Sequence, residues 1–218
     1  MNEVHLFCPE ESRPRYQRKL PKSLTEQQEA ALIQYARDQI ERCKQARPSQ
    51  RGRICETKLL AARRDLFIVQ FGLATGLRCA ELCDLVIGDL DLDAKFLHVR
   101  HGKGDKERLV PLKDSIIPII KDWIGLRQDG YLIPRDNGRQ FSRITMHYRV
   151  RRLGRHAGLP KSIHPHVLRH TFAQRIYDRK RNLEVVRALL GHESVATTQI
   201  YAQASLGEMR DAVETLDD

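Results

Sequence analysis

The chain has 218 residues, 41% hydrophobic and 30% charged, which suits one ordinary domain with small appendages. A net charge of +10 at pH 7 and a pI near 9.6 favour a polyanionic partner. The amino end is polar, with Pro9 and Pro14, and no apolar run approaches membrane-spanning length; neither a secretory leader nor a membrane partner is expected, and the expected setting is the cytoplasm.

Residues 1–22 read as a loose basic arm carrying Arg13, Arg15, Arg18, Lys19 and Lys22. Thr25 then opens a helix, with Gln28 completing a capping box and Ile33, Ala36, Ile40 and Cys43 forming its apolar stripe. The stretch 44–57, with Pro48, Gly52 and several basic residues, predicts a loop that could face nucleic acid. Leu59 to Ala74 predicts an apolar helix at the centre of the core, interrupted by Gly76. A short helix bearing Arg78, Glu81, Leu82 and Leu85 follows.

The β region comes next. Asp89 to Leu92 is a candidate first strand, and Phe96–Arg100 and Arg108–Leu112 flank a Gly-containing connection that holds Lys103. Helices are then predicted at 114–127, 142–157, 166–178, 183–190 and 207–216, with Asn182 as N-cap and Gly191 as C-cap of the fourth. The expected class is mainly α with a small three-stranded antiparallel β-sheet. The five cysteines (Cys8, Cys43, Cys55, Cys79, Cys83) are odd in number and lack framework spacing, so they read as small buried hydrophobes.

The last third of the chain concentrates phosphate chemistry. His166 and Arg169 are three apart, on one face of a helix, and His192 and Tyr201 follow. Arginine grips phosphate oxygens through a fork of donors, histidine moves protons near neutral pH, and tyrosine can form a phosphoester. Arg78 and Arg169 would clamp the non-bridging oxygens, Lys103 would protonate the leaving oxygen, and Tyr201 would be the nucleophile. Tyr177 is a rival nucleophile, read instead as a packing residue on the helix of Arg169. His166 and His170 are four apart, but Val167 stands where a zinc-protease helix needs glutamate, so no metal site and no cofactor are expected. Basic clusters lie at Arg149, Arg151, Arg152 and Arg155 and at Arg179–Arg181; the first, with the 44–57 loop, is the candidate DNA-contacting surface.

These residues fall in an ordered pattern. Ala-Thr-Gly-Leu-Arg-Cys-Ala-Glu-Leu (74–82), Gly-Lys-Gly-Asp-Lys-Glu-Arg-Leu-Val-Pro-Leu (102–112), His-Pro-His-Val-Leu-Arg-His-Thr-Phe-Ala (164–173), Leu-Leu-Gly-His (189–192) and Thr-Thr-Gln-Ile-Tyr (197–201) follow one another. The chain resembles the catalytic domain of the tyrosine recombinases of phage-integrase type over roughly residues 23 to 205. The resemblance implies that fold and a catalytic set of Arg78, Lys103, His166, Arg169, His192 and Tyr201, with Glu81 and His170 supporting.

It also implies a site-specific recombinase acting on double-stranded DNA through a 3′-phosphotyrosyl intermediate, without ATP or a metal, as a homotetramer on DNA and a monomer without it. Residues 206–218 would form a C-terminal helix, packed on its own domain or on a neighbouring subunit. Most members carry a helical DNA clamp ahead of this pattern. About 22 residues precede it here, so the expectation is a minimal recombinase, like the small fimbrial-switch inverting enzymes, or a fragment, with site recognition either weaker or shared with an accessory DNA-binding protein. The competing readings are a DNA-binding accessory protein that no longer recombines and a type IB topoisomerase.

Overall fold

The structure, a computed structural model, describes residues 23–46, 53–100, 107–159, 162–191 and 206–216. The basic arm of residues 1–22 and the Lys103, His192 and Tyr201 positions lie outside the described residues.

Helix α1 (Glu26–Gln45) starts at Thr25, where the Gln28 amide donates to Thr25 Oγ1 at 3.3 Å and the Thr25 amide donates to Gln28 Oε1 at 3.1 Å. This is the capping box read in the sequence. The stripe is rotated from its expected position. Leu32 and Ala36 are the buried residues, while Ile33 and Ile40 lie at the margin, because the line of contact is set by the helix packed against α1.

That helix is α2 (Arg53–Thr75), which begins earlier than the predicted Leu59 and shortens the 44–57 loop. Arg53 to Lys58 holds no Gly or Pro, so nothing bars helix before Leu59; the barriers, Pro48 and Gly52, lie upstream. Phe67, Ile68, Val69, Phe71, Leu73 and Ala74 are all buried, so the second half of α2 is enclosed on every side. Phe67 stacks on Phe71 and on Trp123, each at 5.1 Å between ring centroids, and the Trp123 indole N–H donates to the Leu132 carbonyl at 2.7 Å. Gly76, at φ +61°, turns the chain out of α2.

Helix α3 (Cys79–Asp84) and a 3₁₀ turn (Ile87–Asp89) lead to strands β1 (Leu90–Asp91), β2 (Phe96–Val99) and β3 (Arg108–Pro111). They form one antiparallel sheet in the order β1-β2-β3, with Leu97 opposite Val110 and Val99 opposite Arg108. The fold class read from the sequence is the fold observed.

Helices α4 (Ile116–Ile124), α5 (Arg143–His156), α6 (Pro165–Lys180), α7 (Leu183–Leu190) and α8 (Leu206–Glu214) complete the described fold. Helix α4 is shorter than the predicted 114–127, because Gly125 at φ +59° stops it. Asn182 caps α7 by accepting from the Glu184 and Val185 amides, and Gly191 closes it at φ +60°, both as read from the sequence. Cys79 and Cys83 are buried, and Cys43 is half-buried.

The apolar residues form two clusters. The larger surrounds α2, and the smaller joins Phe172 and Ile176 of α6, Val185, Leu189 and Leu190 of α7, and Ala212 and Val213 of α8. Helix α8 lies against α6, α7 and β3. Arg210 donates to the Ala94 carbonyl at 2.6 Å and lies over the Phe96 ring. No described helix is long and apolar enough to cross a membrane.

Candidate active site

Helix α6 takes part in both clusters, through Leu168 in the larger and Phe172 and Ile176 in the smaller. Arg169 stands between them, at the seam. The guanidinium is buried, 4% exposed, and donates to the Gly76 carbonyl at 2.8 Å and to the Leu190 carbonyl at 2.7 Å. Burial lowers its pKa to about 10, and repulsion from Arg78 adds to this; it is still protonated at neutral pH.

Arg78 reaches the same place from the start of α3. Its guanidinium donates to Glu81 Oε1 at 2.8 Å and to the Gly191 carbonyl at 2.7 Å. Its backbone amide donates to Glu81 Oε2 at 2.8 Å, so Glu81 holds both ends of the residue. Glu81 is 3% exposed. Burial alone would raise its carboxyl, but hydrogen bonds and charge from Arg108, then Arg78, outweigh that and hold it at about 2.

Arg108 of β3 did not stand out in the sequence as a site residue. It meets Glu81 with both arms of its fork, 2.8 Å at each oxygen, and its Nε donates to the Leu189 carbonyl at 3.2 Å. A readable signal existed. Strand alternation and the pairing with buried Val99 put Arg108 on the inward face shared with Val110, where a charged residue needs a partner.

Three guanidiniums and one carboxylate thus meet at the carboxyl end of α7. Three guanidiniums against one carboxylate leave a surplus of two positive charges. An anion is the natural occupant of the open side of such a site.

His166 stands exposed beside it, one helical turn before Arg169. Its ring lies 6.0 Å from His147 and 5.9 Å from His164, centroid to centroid. Partial burial lowers the His166 pKa, and His147, Arg169 and Arg78 lower it further; it is neutral at pH 7 and able to accept a proton. His170 and His164 are lowered as well, first by burial and then by His166. No group of three or more His, Cys, Asp or Glu able to hold a metal ion occurs among the described residues.

The basic segment on α5 divides into two sides. Arg149 turns inward, donating through Nε to Asp65 Oδ1, at 2.9 Å to Asp65 Oδ2 and at 3.2 Å to the Ala61 carbonyl. Arg152 lies 3.8 Å from the same carboxylate. Arg151 and Arg155 are exposed and share a face with Ile144 and Tyr148, 84% and 62% exposed. The structure therefore brings together Arg78, Glu81, His166, Arg169 and His170 of the expected set. It takes Arg149 away from solvent.

Residues 22–207 match the model of the phage integrase family. A tyrosine recombinase of Thermosipho africanus is 34% identical over 204 residues, which are 93% of this chain and 64% of that protein. The chain thus spans a little under two thirds of that relative's length. Among solved structures, the crystal structure of XerA recombinase is similar at a TM-score of 0.64 and 28% identity, covering 95% of this chain and 67% of that one. The pre-cleavage complex of XerH site-specific recombinase with its difH substrate is similar at a TM-score of 0.62 and 26% identity, covering 84% of this chain and 50% of that one.

Proposed function

We propose, from the premise that this chain belongs to the phage integrase family, that it cuts and rejoins strands of double-stranded DNA through a 3′-phosphotyrosyl link. The observation that carries this reading is the meeting of Arg78, from the start of α3, and Arg169, from α6, at the carboxyl end of α7, with His166 one turn before Arg169 and within reach of both charges.

The chemistry follows from the charges. The two arginines bind the non-bridging oxygens of the scissile phosphate and stabilise the charge that builds on them. Tyr201 attacks phosphorus, the bond to the 5′ oxygen breaks, and the Tyr201 proton passes to a histidine. A tyrosine pKa near ~10 makes that acceptor necessary at neutral pH; neutral His166, with His192, supplies it. Lys103 donates the proton that the leaving 5′ oxygen takes up. Attack by a second 5′-hydroxyl on the phosphotyrosine reverses the sequence and frees Tyr201. One phosphoester replaces another at each step, so bond energy is conserved.

Residues 23–205 form the catalytic unit in this reading, and the exposed α5 face of Ile144, Tyr148, Arg151 and Arg155 lies against DNA. Recombination runs in a homotetramer assembled on DNA, in the cytoplasm. The test uses nicked duplexes recovered by this protein from a randomised pool. Wild-type protein should leave a covalent adduct on a denaturing gel, and Tyr201→Phe should leave none. An adduct that persists in the Phe variant rejects Tyr201 as nucleophile, and an adduct formed on every duplex alike favours a topoisomerase.

A further inference from the structure

The three carbonyls that end α7 have one acceptor role each. Leu189 accepts from Arg108, Leu190 from Arg169 and Gly191 from Arg78. The last carbonyls of a helix lack intrahelical donors and carry the negative end of its dipole. Here three guanidiniums donate to that end. Two of them belong to the proposed phosphate clamp, and the third does not face it by the same logic: Arg108 spends both arms on the buried Glu81 carboxylate.

Arg108 therefore touches two supports of the clamp, the Glu81 carboxylate and the α7 terminus. It shares Glu81 with Arg78, and it shares the α7 terminus with both clamp arginines. Its side chain also runs directly beneath Gly191, where an added Cβ would lie 3.1 Å from Arg108 Cδ and 3.2 Å from Nε. The glycine lets α7 close down on this arginine as well as adopt its positive φ. With Arg108 absent, Glu81 would retain one cationic partner in a buried place, and the α7 terminus would lose its tie to β3.

We propose that Arg108 is a positioning residue for strand cleavage, holding the Glu81 carboxylate and the α7 carboxyl end in the arrangement that aims Arg78 and Arg169. This rests on the strand-cleavage reading above. Lysine in its place keeps the charge but cannot span both carboxylate oxygens and a carbonyl with one planar fork.

The full chain is assayed on the nicked duplexes recovered from the randomised pool, with single-turnover adduct formation and duplex affinity measured separately. R108K is expected to cleave roughly 100-fold slower, the loss typical of a small misplacement of catalytic groups, with affinity changed only a few-fold. E81Q should show a similar loss. The R108K/E81Q double variant should lose no more than the worse single variant, because both act through one contact. Wild-type protein that forms no adduct on any recovered duplex rejects the strand-cleavage reading and this role with it. Wild-type protein that reacts beside an equally fast R108K rejects the role of Arg108 alone. So does a rate loss matched by an equal loss of affinity, or an R108K chain unfolded at the assay temperature.

Discussion

Arg169 of α6 donates to the Gly76 carbonyl at 2.8 Å, tying α6 to the turn that launches Arg78. One helical turn on, the Phe172 ring closes over the same glycine.

Gly76→Ala should be costly for two reasons that add. The residue sits at φ +61°, and the new Cβ would fall 2.3 Å from Phe172 Cδ1. Together, strain and overpacking predict a loss of about 2–4 kcal/mol in urea denaturation. Gly138→Ala is the control: φ is +76°, but nothing lies within 4 Å. It should lose only about 1 kcal/mol. Equal losses at the two positions would show that the Phe172 closure contributes nothing.

Arg149→Ala should act on stability. Asp65 is buried, and without Arg149 its best remaining cation is Arg152 at 3.8 Å. The expected loss is about 2–3 kcal/mol, below the usual cost of stranding a buried charge because Arg152 can approach. Arg151→Ala, on the exposed face, should stay within about 0.5 kcal/mol of wild type. Thermal or urea melts of the two variants decide this, and a strongly destabilised Arg151→Ala would contradict the division of α5.

Arg151 and Arg155 should instead govern the salt dependence of duplex binding. Phosphate contacts release counterions, with a slope of roughly −0.9 per contact in log affinity against log salt. The Arg151→Ala/Arg155→Ala chain should therefore bind duplex with a shallower slope, by about two contacts. Fluorescence anisotropy over a salt series measures it; an unchanged slope removes the α5 face from the DNA surface.

Two pH windows should appear in the melting temperature. The folded pKa values of His164, His166 and His170 lie below their ordinary 6.5, so the unfolded chain takes up protons first. Their contribution is complete above pH 6.5 and is lost as pH falls through the folded values. Glu81 is lowered from 4.5 to about 2, so its contribution is complete above pH 4.5 and disappears between there and about pH 2. Glu81→Gln should abolish the second decline and keep the first. A melting temperature that stays level from pH 7 to pH 5 would contradict the histidine assignments.

Features governed by local chemistry were legible in the chain itself. The Thr25–Gln28 capping box, the Asn182 and Gly191 caps of α7 and the β2–β3 hairpin depend on neighbours a few residues away. The α1 stripe was misplaced by one position, at Ile33 rather than Leu32, because periodicity fixes a face only within one residue and the packed neighbour α2 decides the rest. The α5 arginines show the same limit. Arg149 and Arg151 are two apart and chemically identical, yet Asp65, far away in the chain, draws one inward and leaves the other in solvent.

The amino-acid sequence by itself determined the family, the fold class and the order of Arg78, Lys103, His166, Arg169, His192 and Tyr201, because motif identity and hydrophobic period are written in consecutive residues. Only the tertiary structure decided how the site is held. Desolvation and hydrogen bonding depend on what surrounds a group, and here α2, α3, β3, α6 and α7 each supply part of those surroundings. Arg108 therefore became visible as the partner of Glu81 only when β3 was laid against α3 and the end of α7.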